Sequence, residues 1–209
     1  MQDEVRDKNY AFQSSKNIFF TSDTHFGHQN IIRYCDRPFE SVDEMNKEIV
    51  KRWNETVKPD DIVFHLGDVV FGGSGLFEEI LPQLNGQIYL VLGNHDYKNV
   101  RPAYRKYFKD VHPKMFISVD GQPIILNHEP LLCFGGQMNN RIWQLFGHVH
   151  TSHSKSQGAD FQLVSKMCTP SMYDVGVDFN DYKPIKYQEL KQKIDEQIKT
   201  NRNYIQCWM

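Results

Sequence analysis

Residues 17–22 read NIFFTS, and the polar triplet Asp23-Thr24-His25 follows them directly. This apolar run predicts a short buried strand that ends at polar side chains. Two later runs have the same design, DIVFHL (Asp61–Leu66) before Gly67-Asp68 and QIYLVL (Gln87–Leu92) before Gly93-Asn94-His95-Asp96. The repeated pattern predicts strands whose ends carry side chains suited to chemistry.

The following stretch of the chain predicts a hairpin and one more strand. Met115–Val119 and Gln122–Asn127 flank Asp120-Gly121, a dipeptide that favours a type I′ turn. The second of these strands ends at His128, and Ile142–Phe146 ends at Gly147-His148-Val149-His150. Five predicted strand ends are therefore followed by a His, Asp or Asn.

Helical patterns lie between and after these strands. Ser41 and Glu44 form a capping-box pattern, and one helical stripe follows with Val42, Met45, Ile49, Trp53 and Val57. Weaker patterns cover Ser74–Leu84, with Pro82 at its end or last turn, then Val100–Phe108, and a tail from Tyr187 to Lys199 with Leu190, Ile194 and Ile198 on one face. We interpret the tail as a helix docked on the surface.

Strands alternating with helices, then hairpin-like strands, predict an α/β fold in two strand-rich halves with helices outside. Because no linker or repeat interrupts the chain, we expect residues 1–209 to form a single domain.

The net charge, the cysteines and the lack of long apolar runs narrow the class of protein to which this chain can belong. The 209 residues carry 24 Lys and Arg against 26 Asp and Glu, a formal net charge of −2. This balance argues against general binding of nucleic acid or anionic membrane. The four cysteines, Cys35, Cys133, Cys168 and Cys207, stand far apart, which is typical of reduced thiols. Because we find no signal or transit peptide and no apolar run that could span a membrane, we expect a soluble cytoplasmic protein.

Seven side chains at the predicted strand ends could act together. Each alone has an ordinary explanation as a helix cap or a structural histidine. Loops at one edge of an α/β sheet converge in space, however, and seven oxygen or imidazole donors without a thiolate suit Mn, Fe, Zn or a similar divalent metal. The candidate ligands are Asp23, His25, Asp68, Asn94, His128, His148 and His150.

The local spacing of these residues supports a site. In Asp23-Thr24-His25 and His148-Val149-His150 the donors are one residue apart, so an extended backbone would direct both to one side. Gly67, Gly93 and Gly147 precede candidate ligands and allow close approach of the backbone. His95 follows Asn94 directly, and a histidine suits proton donation near neutral pH. We expect Asp96 to orient His95 and to sustain its charged form.

Five motifs occur in the order in which they define a known family. They are D-T-H (Asp23–His25), G-D (Gly67-Asp68), G-N-H-D (Gly93–Asp96), N-H-E-P (Asn127–Pro130) and G-H-V-H (Gly147–His150). With them the sequence resembles the calcineurin-like metallophosphoesterases. The longer run DTHFGHQNIIRYCDRPF is similar to a small bacterial and phage branch of that family. Asn127 departs from the usual pattern, because many relatives have a small residue there.

The resemblance implies a fold and a ligand set. The fold would be two mixed β-sheets packed as a sandwich with flanking helices, an α-β-β-α arrangement. Asp23, His25 and His150 would hold one divalent metal ion, and Asn94, His128 and His148 a second, with Asp68 bridging the two. His95 would donate a proton to the leaving group, with Asp96 as its partner. The implied reaction is hydrolysis of a small phosphomonoester or phosphodiester by in-line attack of a metal-bridging hydroxide.

Other interpretations remain open at this stage. A nuclease would use the same chemistry, but it predicts a basic groove that the net charge does not support. A non-enzymatic binding module on this fold would be expected to lack some ligands. His28, Arg33 and Arg37 could reach a substrate phosphate, or the arginines could form surface salt bridges. His65 is expected to be structural, His112 and His153 to lie on the surface, and Phe71–Gly75 to form a rim loop without the lysine of a P-loop.

Overall fold

Two mixed β-sheets organise the structure, a computed structural model that describes residues 8–12, 17–100, 102–151 and 166–200. In chain order the strands within these ranges are β1 (Lys8–Phe12), β2 (Ile18–Thr21), β3 (Ile62–His65), β4 (Gln87–Val91), β5 (Asp110–His112), β6 (Lys114–Val119), β7 (Gln122–Asn127), β8 (Trp143–Phe146), β9 (Met172–Asp174) and β10 (Ile185–Lys186). The helices are α1 (Gln29–Tyr34), α2 (Val42–Thr56), α3 (Ser74–Ile80), α4 (Asp96–Asn99) and α5 (Tyr187–Thr200), with short 3-10 segments at Leu81–Gln83, Pro102–Tyr107 and Gln137–Asn139.

The strand order places the predicted strand ends side by side. Sheet I has the order β10-β2-β3-β4-β5, in which β2 to β5 are parallel and β10 is antiparallel. Sheet II has the order β1-β6-β7-β8-β9, in which only the β6–β7 pair is antiparallel. The β6–β7 hairpin turns at Asp120 and Gly121, whose φ angles of 52° and 79° are those of the expected type I′ turn. The expected fold, two mixed sheets with flanking helices, is confirmed.

Strands that are buried on both faces explain why the apolar runs are continuous. In β2, Ile18 and Phe20 belong to a core shared by both sheets, whereas Phe19 packs in a second core with the helices α1 to α3. Side chains alternate between the two faces of a strand, so each face of β2 needs apolar residues. This double burial packs the strand on both faces up to its carboxyl end, where Asp23 follows.

The two long helices follow the sequence prediction. In α2, the Ser41 side chain accepts a hydrogen bond from the Glu44 N–H at 3.2 Å, and Met45, Ile49 and Trp53 are buried beneath sheet I. In α5, Leu190 and Ile194 are fully buried, which confirms a docked helix. Within the described residues no helix has the length and apolar character needed to cross a bilayer.

Several short elements differ from the prediction. The segment Val100–Phe108 is not an α-helix: Pro102–Tyr107 forms a 3-10 helix, a form common in short connections. Helix α1 and the strands β1, β5, β9 and β10 were not predicted, because their two to six residues carry no clear periodicity. Their structure depends on the neighbouring strands and helices that they contact. Cys35 is a buried and Cys133 an exposed free cysteine, while Cys207 and His153 lie outside the described residues.

Candidate metal centre

The predicted strand ends of both sheets meet at one edge of the sandwich. The loops after β2, β3 and β4 bring Asp23 and His25, Asp68, and Asn94 from sheet I. The loops after β7 and β8 bring His128, His148 and His150 from sheet II. Backbone hydrogen bonds connect neighbouring loops, among them Asp23 N–H to Gly67 O at 2.9 Å and Gly147 N–H to His128 O at 2.8 Å. The structure therefore brings all seven candidate ligands together.

One group of donors surrounds the Asp23 carboxylate. The Oδ1 atom of Asp23 lies 3.8 Å from Nε2 of His25 and 3.8 Å from Nε2 of His150. One ligand atom from each of the three residues lies within 4.8 Å of the others. Because Asp23 and His25 are buried, this group could enclose a cation from the protein side.

A second group of donors surrounds the Asn94 amide oxygen. Its Oδ1 atom lies 3.0 Å from Nε2 of His128 and 3.1 Å from Nδ1 of His148. The two imidazole rings are 5.1 Å apart at their centroids, with an angle of 69° between their planes. One oxygen and two ring nitrogens thus converge on a second small volume.

The Asp68 carboxylate lies between these two groups. Its Oδ2 atom is 3.6 Å from Nε2 of His25 in the first group and 3.4 Å from Nε2 of His128 in the second. The other oxygen, Oδ1, accepts a hydrogen bond from the His95 N–H at 3.0 Å. One carboxylate oxygen is therefore held by the backbone while the other faces both donor groups.

Five of the candidate ligands have a left-handed backbone. Their φ angles are 58° at Asp23, 49° at His25, 57° at Asp68, 71° at His148 and 47° at His150. The extended backbone expected from the one-residue spacing is therefore wrong. Such conformations cost about 1–3 kcal/mol each in residues other than glycine and are typical of functional sites. With these turned backbones the loops after β2 and β3 contact each other, through the hydrogen bond from His25 N–H to Asp68 O at 3.0 Å.

Two glycines allow these loops to approach one another. A Cβ atom at Gly93 would lie 2.2 Å from Oδ1 of Asp68, and one at Gly67 would lie 2.5 Å from the Gly93 nitrogen. Gly67 also has a φ of 102°, a region that other residues avoid. The close approach expected from the sequence is confirmed, and it places the Asp68 carboxylate directly against the loop that carries Asn94.

The electrostatics of the cluster suit a cation. Oδ1 of Asp23 and both ring nitrogens of His25 are buried and have no hydrogen-bond partner among the described residues. Burial, with the neighbouring charge of His150, lowers the pKa of His25 well below its usual value, so its imidazole is neutral and keeps a lone pair for a metal. Although burial opposes it, the hydrogen bond to Asp68 and the charges of Asp23 and Asp68 raise the pKa of His128 to about 9. The carboxylates therefore favour positive charge here, and the residues present fit a divalent cation.

His95 stands at the rim of the cluster, but Asp96 does not orient its ring. The Nε2 atom of His95 lies 3.9 Å from Oδ2 of Asp68, and its side chain is 39% exposed. The buried Asp96 carboxylate instead accepts hydrogen bonds from the N–H groups of Asp68 and Gly93, at 2.7 and 2.9 Å, and from that of Val69 at 3.2 Å. Asp96 thus fixes the two loops that carry Asp68 and Asn94. The expectation that the Asp96 carboxylate orients the His95 ring is therefore wrong.

The ring of Phe71 connects His95 to His28. Phe71 stacks on His28 with the centroids 4.0 Å apart and meets the edge of His95 at 5.0 Å. The segment from Phe71 to Gly73 therefore forms a loop at the rim, as expected, whereas Ser74 and Gly75, also predicted as loop, begin helix α3. Phe71 is 37% exposed, so this aromatic surface faces the solvent beside the cluster.

Of the remaining sequence candidates, Arg33 and His112 are at least partly exposed, whereas Arg37 and His65 are buried. Arg33 is exposed on α1 and packs over the Tyr34 ring. Arg37 is buried and forms an ion pair with Asp178. It therefore forms no salt bridge on the surface, and its guanidinium is not free to reach a substrate phosphate. His65 is structural as expected: its ring is buried, lies 3.1 Å from Thr24 Oγ1 and accepts a hydrogen bond from Gly67 N–H. His112 is half-buried beside Asp110.

Two buried aspartates near the cluster were missed by the sequence analysis. Oδ2 of Asp178 lies 2.9 Å from Nδ1 of His150, and Asp174 accepts hydrogen bonds from the N–H groups of Thr151 and Gly176. Burial and the nearby Asp23 raise the pKa of Asp174 to about 7. A signal was present for Asp174, which ends β9 two residues before Gly176, but the three-residue strand was itself not recognised.

The similarity of this chain to known proteins extends well beyond the five motifs. A family model for calcineurin-like phosphoesterases matches residues 16–186. An uncharacterized protein of Methanocaldococcus jannaschii is 32% identical over 185 residues, which cover 88% of this chain and 94% of that protein. The gene 66 protein of Mycobacterium phage D29 is 27% identical over 205 residues, 86% of this chain and 98% of its own length.

A solved structure has the same fold. The crystal structure of a protein of unknown function from Aquifex aeolicus superposes with a TM-score of 0.64 at 25% sequence identity. The match covers 85% of this chain and 98% of the Aquifex protein. Together with the archaeal and phage sequences, it agrees with the resemblance to a small bacterial and phage branch.

Proposed function

This chain belongs to the calcineurin-like phosphoesterase family, and we propose that it hydrolyses phosphomonoesters or phosphodiesters with the help of two divalent cations. The observation that supports two cations is the position of Asp68. Its Oδ2 atom lies within 3.6 Å of a histidine nitrogen from each of the two donor groups. A carboxylate oxygen so placed can serve both groups at once.

The ligand assignment follows from the two groups. Asp23, His25 and His150 would hold one cation, Asn94, His128 and His148 the other, and Asp68 would contribute to both. Oxygen and imidazole donors suit Mn²⁺, Fe²⁺ or Zn²⁺. When bound, such cations polarise phosphoryl oxygens and lower the pKa of an attacking water.

The charges of the site favour a phosphate even though the chain is mildly acidic. Asp23 and Asp68 supply two negative charges, whereas two divalent cations supply four positive ones, so the loaded site attracts anions. The net charge of −2 for the whole chain therefore does not oppose a phosphate ester as substrate. A small phosphorylated molecule is the partner that this site would bind.

His95 is the residue that we assign to proton transfer. Its ring is partly exposed at the rim, where the leaving group of a bound ester would lie, and Nε2 is 3.9 Å from Asp68 Oδ2. The edge contact with Phe71 limits the orientations that the ring can adopt. His95 would donate a proton to the oxygen of the leaving group, which makes poor leaving groups dependent on it.

A chelation assay tests the proposal. The purified protein is treated with EDTA, dialysed, and assayed on p-nitrophenyl phosphate and bis(p-nitrophenyl) phosphate with and without added Mn²⁺. We expect hydrolysis of at least one ester to need Mn²⁺ and to be lost in Asp68→Asn. Asp120→Asn is the matched control, because Asp120 is an exposed carboxylate at a hairpin turn. Full activity in excess EDTA, or wild-type activity in Asp68→Asn, would overturn the proposal.

A further inference from the structure

A buried ion pair lies behind the first donor group. The Nε and Nη2 atoms of Arg37 donate to Oδ1 and Oδ2 of Asp178 at 2.8 and 2.9 Å. Arg37 is 4% exposed and Asp178 5%, and 141 residues separate them in sequence. A two-point contact of this kind fixes the orientation of both groups.

The aspartate of this pair touches a candidate metal ligand. Its Oδ2 atom lies 2.9 Å from Nδ1 of His150, while Nε2 of the same ring faces Asp23 Oδ1 at 3.8 Å. A carboxylate that accepts the Nδ1–H of a histidine fixes the tautomer that leaves Nε2 free for a metal. The arrangement therefore selects the nitrogen that points into the donor group.

The arginine of the pair holds the other side of the same donor group. Its Nη2 atom donates to the Asp23 carbonyl at 2.7 Å and its Nη1 atom to the Thr24 carbonyl at 3.0 Å. These carbonyls belong to the loop in which Asp23 and His25 have left-handed backbones. Arg37 thus ties this strained loop to Asp178, and through it to His150.

The pair is not itself a metal site. Cys35, His150 and Asp178 also lie close enough to hold an ion. Both oxygens of Asp178, however, already accept hydrogen bonds from Arg37, and the guanidinium charge beside them opposes a cation. The chemistry of this cluster is therefore that of a support.

We propose that Arg37 and Asp178 are positioning residues that jointly set the metal affinity of the donor group of Asp23, His25 and His150. This inference rests on the proposed function, since it assumes that the group binds a cation. It predicts a selective effect: the group of Asn94, His128 and His148 has no described contact with Arg37 or Asp178 and changes less. Outer partners of metal ligands typically change metal affinity 10–100-fold.

Mn²⁺ binding to the EDTA-treated full chain tests this inference, with isothermal titration and metal analysis as readouts. We expect wild type to bind two equivalents. In Asp178→Asn the affinity for one equivalent should fall about 10–100-fold, while the affinity for the other changes less than about threefold. Tyr187→Phe is the control: it removes a buried hydrogen bond to Val119 O in the core and should leave both affinities unchanged.

A second variant and a second measurement separate positioning from folding. Arg37→Lys keeps the charge but not the planar fork that reaches Asp178 and two carbonyls at once, so it should weaken the same equivalent. Saturating Mn²⁺ should raise the unfolding temperature of wild type and of Tyr187→Phe more than that of either variant, because weaker binding stabilises less.

The outcomes distinguish a failure of the positioning role from a failure of the proposed function. Two unchanged affinities in a folded Asp178→Asn or Arg37→Lys would overturn the positioning role while leaving the proposed function intact. Equal losses at both equivalents would also overturn it, because the effect would then be a general one. Failure of wild type to bind Mn²⁺ would overturn the proposed function, and this inference with it.

Discussion

The backbone N–H of His148 donates a hydrogen bond to Oδ2 of Asp23 at 2.9 Å, although 125 residues separate the two in sequence. This bond joins a loop of sheet II to a loop of sheet I. It occupies one oxygen of the carboxylate and leaves Oδ1, which is buried and has no partner among the described residues, facing His25 and His150. The two sheets are therefore held together at the point where the candidate metal centre lies.

Asp23→Asn should weaken metal binding strongly. The amide can keep its oxygen on His148 N–H only by placing its NH₂ group where Oδ1 faces His25 and His150, and an NH₂ group cannot bind a cation. We expect Mn²⁺ affinity at this group to fall by more than about 100-fold, beyond the effect typical of an outer partner. Titration of metal-free protein measures it, and a wild-type isotherm would contradict the assignment of Asp23.

Gly93→Ala should displace Asp68 without removing any ligand. The new Cβ would lie 2.2 Å from Asp68 Oδ1, so the carboxylate or the loop must move. We expect weaker Mn²⁺ binding and an overpacking cost of about 1–3 kcal/mol in the free energy of unfolding.

Gly75→Ala provides the control for that variant. A Cβ at Gly75 meets nothing within 4 Å, and the residue lies in α3, so alanine should stabilise the protein by about 0.5–1 kcal/mol and leave metal binding unchanged. Urea unfolding and Mn²⁺ titration of both variants provide the comparison. If the two glycine variants bound Mn²⁺ equally, the close contact at Gly93 would not matter for the site.

His95→Gln should separate metal binding from proton transfer. The His95 ring lies at the rim of the donor groups, and the hydrogen bond to Asp68 comes from the His95 backbone N–H, which the variant keeps. The metal content of His95→Gln should therefore match that of wild type. We expect kcat to fall about 10²–10⁴-fold on alkyl phosphate esters and much less on p-nitrophenyl esters, whose leaving group needs no proton. Equal losses on both kinds of ester would argue against His95 as the proton donor.

The stability of the metal-free protein should depend on pH through His65. Burial of this ring lowers its pKa from 6.5 to about 3. A group with a lowered pKa contributes stability above the unfolded value of 6.5, and this contribution is lost as the pH falls from 6.5 toward 3. At pH 5 the loss is about 2 kcal/mol, from 1.5 pH units at 1.36 kcal/mol each.

The variant His65→Gln tests this dependence. It removes the titrating group, so its free energy of unfolding should change about 2 kcal/mol less than that of wild type between pH 7 and pH 5. Urea unfolding at the two pH values measures the difference, and the cost of the substitution itself cancels. Identical changes in wild type and variant would show that His65 does not contribute.

Local patterns determined most of the fold. The apolar runs before Asp23, Asp68 and Asn94 identified β2, β3 and β4, because strands buried on both faces must be apolar throughout. The stripe on α2 and the Asp120-Gly121 turn were equally readable. Strands as short as β9 and β10 were not, because their few residues become strands only through pairing with β8 and β2.

The sequence by itself determined which side chains form the candidate metal centre, since a donor after each strand end is a local signal and parallel strands bring their ends together. Only the tertiary structure decided how those side chains are held. The left-handed backbones, the use of Asp96 to fix two loops, and the Arg37–Asp178 pair behind His150 all depend on contacts between segments distant in the chain. No local pattern encodes such contacts, because the free energy that maintains a strained loop or a buried ion pair comes from partners brought close only by folding.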